Sequence, residues 1–242
     1  MNATIARLTV RTLLGRRRAL LLLLLPAVLL AVAGGVRWAQ GEQTSSAVGV
    51  LGGFGLGTLV PLLGLLAGTA AIGTEIDDGS IVYLLSKPID RTVIVLSKAA
   101  VATGAVLAFG AMPILVAGYV LVGTTGRLAV AYAVGAGCAG IAYVALFLLL
   151  SIVSRNATVI GLIYALVWET TIAGVVPGAR AISVRQWALA VTASIVGDQA
   201  PSLGVEAAVG AALGGVLLVV FTVGSLAWAV QALRSLRLVA SD

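Results

Sequence analysis

Side chains that could carry chemistry are scarce in this chain of 242 residues, which has no histidine and a single cysteine, Cys138. Without histidine there is no Ser–His nucleophile pair and no imidazole-ligated metal site. One cysteine excludes an internal disulfide and a thiolate cluster. The two lysines, Lys87 and Lys98, are followed by proline and alanine, so neither completes a G-x-x-x-x-G-K-[ST] phosphate loop. The sequence therefore predicts a protein that is not an enzyme, and any ATP that drives it must be bound by another chain.

The most informative polar residues form a charged segment, Thr74–Arg91, between two long apolar runs. Thr74 and Asp77 fit a T-x-x-D variant of the capping box, and Pro88 ends a helix that starts there. Acidic residues fill its first turn, where the helix dipole favours negative charge. The pattern predicts a short amphipathic helix over 74–88 on the membrane face, after which Asp90 caps the next span. A plain connecting loop, whose charges only set the topology, is the alternative.

One acidic residue, Glu169, falls well inside an apolar run, next to Trp168. An ionisable group in a membrane span needs a partner, water or a proton. Two interpretations follow. Glu169, together with Trp168, lines a transport path or a gate near the outer leaflet. Alternatively, its carboxylate makes a structural hydrogen bond to a neighbouring span or approaches an outer arginine such as Arg180.

The composition defines the elements that position these residues. Hydrophobic residues make up 60% of the chain, charged residues 10%, and the mean hydropathy is +1.14, values typical of an integral membrane protein. We predict a single all-α transmembrane domain over 1–242. The predicted membrane spans, each long enough to cross ~30 Å of hydrocarbon, are 19–36, 48–72, 92–122, 128–153, 157–176 and 207–230.

The basic residues predict the orientation of these spans. An even number of spans places both termini on one side, and that side receives 11 of the 15 lysines and arginines. Both termini and the charged segment are therefore expected in the cytoplasm. The net charge of +6 is explained by this topology and by anionic lipid, and no soluble basic domain is present to bind nucleic acid. A secretory signal peptide is the alternative interpretation of the first apolar run.

Two further segments are predicted to lie along the membrane surface. Apolar and basic residues separate onto different faces in 1–18, which predicts an interfacial helix; a positive-inside anchor explains the basic cluster equally well. This cluster comprises Arg7, Arg11, Arg16, Arg17 and Arg18. In the outer loop 177–206, near-helical apolar spacing predicts a short external helix that caps the transport path, with Trp187 at the interface.

Glycines recur at four-residue spacing in two of the predicted spans. Small residues at this spacing let membrane helices pack closely. Packing within the chain is one interpretation, and pairing between two copies of the chain is the other. The spaced glycines are Gly49, Gly53, Gly57, Gly64, Gly68, Gly210 and Gly214.

The run from Glu75 to Arg91, E-I-D-D-G-S-I-V-Y-L-L-S-K-P-I-D-R, followed by Ser97 and Lys98, resembles the cytoplasmic segment of ABC-2 type ATP-binding-cassette permeases. In that family an E-x-x-x-G-[ST] element leads to a K-P or R-P before the next span. The resemblance implies the ABC-2 (type V exporter-like) fold and a coupling helix that docks on the ATPase. By position, the coupling residues are Glu75, Asp77, Asp78, Gly79, Ser80, Tyr83, Lys87 and Pro88.

The same resemblance implies the partners and the function. An elbow helix over 1–18 touches the ATPase, two ATP-binding subunits carry the ATP and magnesium, and this chain binds no cofactor. Two permease subunits pair, expected to be a homodimer, in the bacterial inner (plasma) membrane. The implied function is efflux of a hydrophobic or amphipathic drug, lipid or peptide. The alternatives are an ion-coupled carrier or channel centred on Glu169 and a structural membrane scaffold.

Overall fold

The structure of the chain is a computed structural model that describes residues 3–13, 15–77, 90–123, 127–173 and 176–235. Regular secondary structure in these ranges is helical, and they contain no β-strand. The helices are α1 (Ala3–Leu13), α2 (Arg16–Gln40), α3 (44–77), α4 (Arg91–Val122), α5 (Arg127–Val153), α6 (Ala157–Ile172), α7 (Val184–Val196) and α8 (Ala211–Ser235).

Three of these helices change to π-helical hydrogen bonding along part of their length: Gly49–Leu59 in α3, Leu107–Ala111 in α4 and Tyr164–Ile172 in α6. Within α6 the hydroxyl groups of Thr170 and Thr171 donate to carbonyl oxygens five residues earlier, which matches the wider turn. Long π-helical runs are rare, and short ones are frequent at functional sites. Two of the three π segments lie next to the polar sites described below.

Five helices of the described chain are long and apolar enough to cross a membrane, which agrees with an all-α membrane protein. Their apolar ranges are Ala19–Gln40, Thr44–Gly73, Arg91–Val122, Arg127–Val153 and Ala211–Ser235, and these correspond to five of the six predicted spans. The layout with six spans is not confirmed, because α6 is a shorter apolar helix. A four-residue helix, Pro177–Arg180, precedes α7.

Helix α5 is the centre of the bundle, with 72% of its most apolar stretch buried, against 22% for α2 and for α8. It packs closely on α3 because glycines of α3 face its large side chains. A Cβ atom at Gly64 would lie 2.6 Å from Tyr143 Cβ, and one at Gly68 would lie 2.9 Å from Phe147 Cβ. Packing within the chain is thus confirmed for these two glycines.

The bundle has two ends, which are named here after one residue each. The Asp90 end holds the end of α3, the start of α4 and the end of α8, where Asp90 approaches Arg234. The Arg127 end holds the loops after α2 and α4, where Arg37 donates to the Leu121 carbonyl oxygen. Arg91 and Arg234 lie at the Asp90 end, and Arg37 and Arg127 lie at the Arg127 end.

Helices α6 and α7 together carry the chain from the Asp90 end to the Arg127 end. Helix α6 follows the end of α5, and α7 ends at Val196, which shares a cavity with Arg127 and Glu42. The predicted position of the helix in 177–206 is wrong: α7 is buried between α5 and α8 rather than lying on the surface. Trp187 is 6% exposed and donates its indole N–H to the Ala181 carbonyl oxygen.

Close approach to α5 and α8 explains why α7 is buried. A Cβ atom at Gly135 of α5 would lie 2.2 Å from Thr192 Oγ1, and one at Gly214 of α8 would lie 2.8 Å from Ala190 Cβ. Glycine is needed on both neighbours, since any side chain there would push α7 outward. Trp187 then packs edge-to-face on Phe221 of α8, with ring centroids 5.6 Å apart.

Candidate functional sites

In the structure, the chain at the start of the predicted coupling helix differs from the prediction. Helix α3 continues without a break through Thr74 to Asp77, so the predicted N-cap at Thr74 is wrong. The helix-forming residues before Thr74 extend the second apolar run, and no turn separates them from the acidic residues. The remaining predicted coupling residues lie outside the described residues: Asp78, Gly79, Ser80, Tyr83, Lys87 and Pro88.

A buried ion pair joins the end of α3 to α4. Lys98 is fully buried, and its Nζ donates to Glu75 Oε1 at 2.7 Å and to the Ala71 carbonyl oxygen at 2.6 Å. The Glu75 side chain is 24% exposed and the Lys98 side chain 1% exposed. A buried ammonium group needs such partners, because water cannot solvate it. A lysine this far inside an apolar run already indicates a buried partner, a signal that the predicted coupling residues did not include.

Asp90 caps α4, as predicted. Its carboxylate accepts a hydrogen bond from the Thr92 backbone N–H at 3.0 Å. This N–H, with the Thr92 hydroxyl, holds the pKa of Asp90 below its ordinary value. Arg234 of α8 lies 3.8 Å from the carboxylate, and Arg91 donates to the Arg234 carbonyl oxygen. The start of α4 is therefore tied to the end of α8.

The N-terminal helix α1 packs against α4 and α3 at the Asp90 end. Thr9 and Leu13 are buried, while Arg7 and Leu8 are exposed, so the helix has one packed face and one free face. Arg11 lies in α1, and Arg16, Arg17 and Arg18 form the first turn of α2. Their contact with an ATPase or with lipid stays a prediction.

The second polar site surrounds Glu169, which is completely buried. Its carboxylate accepts from the Tyr164 hydroxyl at 2.9 Å, the Ser183 hydroxyl at 2.5 Å and the Val184 backbone N–H at 3.0 Å. A longer bond of 3.3 Å comes from the Arg185 backbone N–H. The carboxylate thus occupies the N-terminus of α7, where free N–H groups and the helix dipole stabilise an anion.

The surroundings of Glu169 are buried and aromatic. Tyr143 stacks on Phe147, and Phe147 meets Tyr164 edge-on, with 6.1 Å between ring centroids in both pairs. The buried Tyr143 hydroxyl lies near the carboxylate without a hydrogen bond of good geometry. Each hydrogen bond to Glu169 is strong in such an environment, and the geometry favours the structural interpretation. Trp168 is only half-buried, and a role of either residue in a transport path stays a prediction.

Ser183, which was not among the predicted site residues, is both the N-cap of α7 and a partner of Glu169. Its hydroxyl accepts from the Gln186 backbone N–H at 3.4 Å. The sequence Ser183-Val-Arg-Gln186 fits the S-x-x-Q form of the capping box. That pattern was available in the sequence as a signal for the start of α7.

A large open cavity of about 780 Å³ lies at the Arg127 end. Its charged lining residues are Glu42, Arg127 and Asp198, and it is bounded by the end of α7. Among the described residues no group of three or more histidine, cysteine, aspartate or glutamate side chains is placed to hold a metal ion.

No protein-family model matches this chain, and a search of curated proteins finds no significant match.

Proposed function

We propose that this chain is the permease subunit of an ATP-driven ABC exporter that moves a hydrophobic or amphipathic substrate out of the cytoplasm. The sequence of the segment after α3 supports the family assignment through its resemblance to ABC-2 coupling segments. The observation that carries the mechanism is the buried Lys98–Glu75 pair, because it fixes the helix that enters this segment to the helix that leaves it.

A coupling segment transmits force only if both of its ends are attached to the transmembrane helices. On one side the Glu75–Lys98 pair attaches α3 to α4. On the other side, Asp90 caps α4, and Arg91 and Arg234 attach α4 to α8. A displacement applied between residues 77 and 90 would therefore move α3, α4 and α8 together. Two ATP-binding subunits that close on ATP would supply this displacement in a dimer of permeases.

In the proposed topology α6 and α7 form one broken crossing, which gives six crossings and places both termini in the cytoplasm of a bacterial cell. The N-terminus of α7 then faces the membrane interior, where Glu169 neutralises its dipole. Broken helices in transporters place their ends near the substrate path. The cavity at the Arg127 end would be the outer vestibule.

The experiment is affinity purification of the tagged chain with the ABC ATPase of its host, followed by ATP hydrolysis measurements in lipid discs. We expect an ATPase to co-purify with the wild type. Gly79→Leu, within the coupling motif, should reduce co-purification or uncouple hydrolysis. Gly210→Leu is a matched control at the Arg127 end, where a Cβ atom meets nothing within 4 Å. Purification of a stable chain that binds no ATPase would contradict the proposal.

The alternative of an ion-coupled carrier or channel depends on Glu169. A proton carrier needs a carboxyl group that releases and rebinds its proton during transport. Here both carboxylate oxygens accept hydrogen bonds from groups that stay in place, including two backbone N–H groups. This arrangement favours a structural role for Glu169. Proton flux into liposomes that is lost in Glu169→Gln, without any ATPase, would favour the carrier instead.

A further inference from the structure

A second cavity, of about 360 Å³, lies between the start of α3 and the start of α7. We refer to it as the Arg185 cavity. Glycines form its wall on the α3 side: Cβ atoms at Gly49 and Gly53 would meet no atom within 4 Å, and both glycines are exposed. The cavity therefore opens on the flank of a helix that is long enough to span the membrane. Its volume falls within the range of small-molecule sites.

Arg185 brings an unsatisfied positive group to this cavity. Its Nε is buried and has no hydrogen-bond partner, and no ion pair to its guanidinium is present among the described residues. The guanidinium lies against α3, with Cζ and Nε each 3.3 Å from the position of a Gly57 Cβ atom. Arginine carries five N–H donors and no acceptor, so a buried Nε–H without an acceptor is costly, and the partly exposed Arg185 side chain leaves its guanidinium open to a ligand.

Glu169 does not satisfy this arginine. The Glu169 carboxylate accepts from the backbone N–H of Arg185, and its other bonds go to Tyr164, Ser183 and Val184. The side chain of Arg185 instead extends from the start of α7 into the cavity lining. The Glu169 carboxylate is therefore fully bonded to groups other than the Arg185 guanidinium, and the Nε of Arg185 stays without a partner.

The charged side chains that line the cavity leave it with a net positive charge, which suits an anion. Arg180 adds a second positive charge, Glu206 adds one negative charge, and Tyr132 lines the same space with its hydroxyl. The Tyr132 hydroxyl lies 3.1 Å from the position of a Gly52 Cβ atom, so glycine at this position leaves room for it. A guanidinium fork beside a hydroxyl donor matches the oxygen atoms of a phosphate or carboxylate group.

We propose that the Arg185 cavity binds the phosphate or carboxylate group of an anionic amphipathic molecule, whose apolar chain leaves through the opening at Gly49 and Gly53. The cavity is too small for acyl chains but holds a headgroup, and the opening faces the surroundings of a spanning helix. This binding does not depend on an ATPase, so its test is independent of the proposed exporter function.

The test uses the purified full-length chain in neutral detergent, with lipid binding measured by native mass spectrometry. The probes are phosphatidylglycerol, phosphatidylcholine of equal chain length, and inorganic phosphate. We expect the wild type to retain phosphatidylglycerol in preference to phosphatidylcholine. Arg185→Gln should weaken phosphatidylglycerol binding roughly tenfold or more, as expected for loss of a charge-assisted hydrogen bond. Arg127→Gln, which removes an arginine from the other cavity, should leave the binding unchanged.

A second variant tests whether weaker phosphatidylglycerol binding results from a blocked cavity rather than from misfolding. Gly53→Leu places a side chain in the open part of the cavity and keeps Arg185, so it should also reduce phosphatidylglycerol binding. Gly224→Leu is its control, because a Cβ atom there also meets nothing within 4 Å and Gly224 is remote in α8. Competition by inorganic phosphate would show that the free anion suffices, and its absence would show that the lipid headgroup is the ligand. Equal binding of both lipids, or unchanged binding in Arg185→Gln and Gly53→Leu, would overturn the proposal.

Discussion

At the residue scale, the Lys98–Glu75 pair has two unequal members. Lys98 is almost completely buried, while about a quarter of the Glu75 side chain is exposed. Removing one member of a buried ion pair costs about 3 kcal/mol when the other charge stays buried. The two single substitutions should therefore differ, since the Lys98 side chain is more deeply buried than the Glu75 side chain.

We predict that Glu75→Ala lowers the free energy of unfolding by about 3 kcal/mol, and that Lys98→Met lowers it less. The double variant Glu75→Ala with Lys98→Met should recover most of the loss, because no unpaired charge remains. Denaturant titration in detergent, followed by circular dichroism, measures these differences. Additive losses in the double variant would show that the two residues do not stabilise each other.

Glu169 differs from the Lys98–Glu75 pair because its carboxylate accepts hydrogen bonds from four donors. Glu169→Ala should destabilise the protein by about 3 kcal/mol or more, since the Ser183 hydroxyl and the first N–H groups of α7 lose their acceptor in a buried site. Glu169→Gln should cost less, as one amide oxygen remains. Thr171→Val, on the exposed side of the same helix, should have little effect. If Glu169→Ala keeps wild-type thermal stability but abolishes transport, the residue belongs to the transport path instead.

At the element scale, glycines of α3 have two different surroundings. A Cβ atom at Gly64 would lie 2.6 Å from Tyr143 Cβ, whereas one at Gly53 would meet nothing within 4 Å. Gly64→Ala should therefore push α3 away from α5 and cost about 1–3 kcal/mol by overpacking. Gly53→Ala should be neutral or slightly stabilising, because alanine favours a helix over glycine. Thermal unfolding measures the stability of both variants. An equal loss of stability in the two would show that α3 does not pack closely on α5 at Gly64.

Hydropathy predicted the five long helices well because each is a continuous apolar run. It could not predict that the fifth predicted span, 157–176, forms only the shorter helix α6, or that α7, in the predicted outer loop, is buried. The S-x-x-Q pattern at Ser183 marks the start of α7, but the burial of α7 depends on Gly135 and Gly214 in two distant helices. Likewise, the sequence indicated that Glu169 needs a partner, and only the folded chain supplies Ser183 and the N-terminus of α7.

At the scale of the whole molecule, the broken crossing determines the topology. If α6 and α7 together carry the chain across the membrane, the Arg127 end and the Asp90 end lie on opposite sides, and the basic residues place the Asp90 end in the cytoplasm. Because Arg234 at the end of α8 approaches Asp90 at the start of α4, an external C-terminus would mean that the Asp90 end as a whole lies outside. Asp198 and Ser235, both exposed in the structure, lie on the two sides of α8 and distinguish these cases.

We therefore predict opposite labelling of two single-cysteine variants made in a Cys138→Ala background, because Cys138 is the native cysteine. In intact cells, Asp198→Cys should react with a membrane-impermeant maleimide, since it follows α7 at the outer end. Ser235→Cys should react only after the cells are permeabilised. Protection of both cysteines would show that α6 and α7 do not complete a crossing, and labelling of Ser235→Cys alone would show that the Asp90 end lies outside. In that case the attachment of α8 to α4 through Arg234 and Asp90 would lie outside the cytoplasm, where an ATPase cannot act on it.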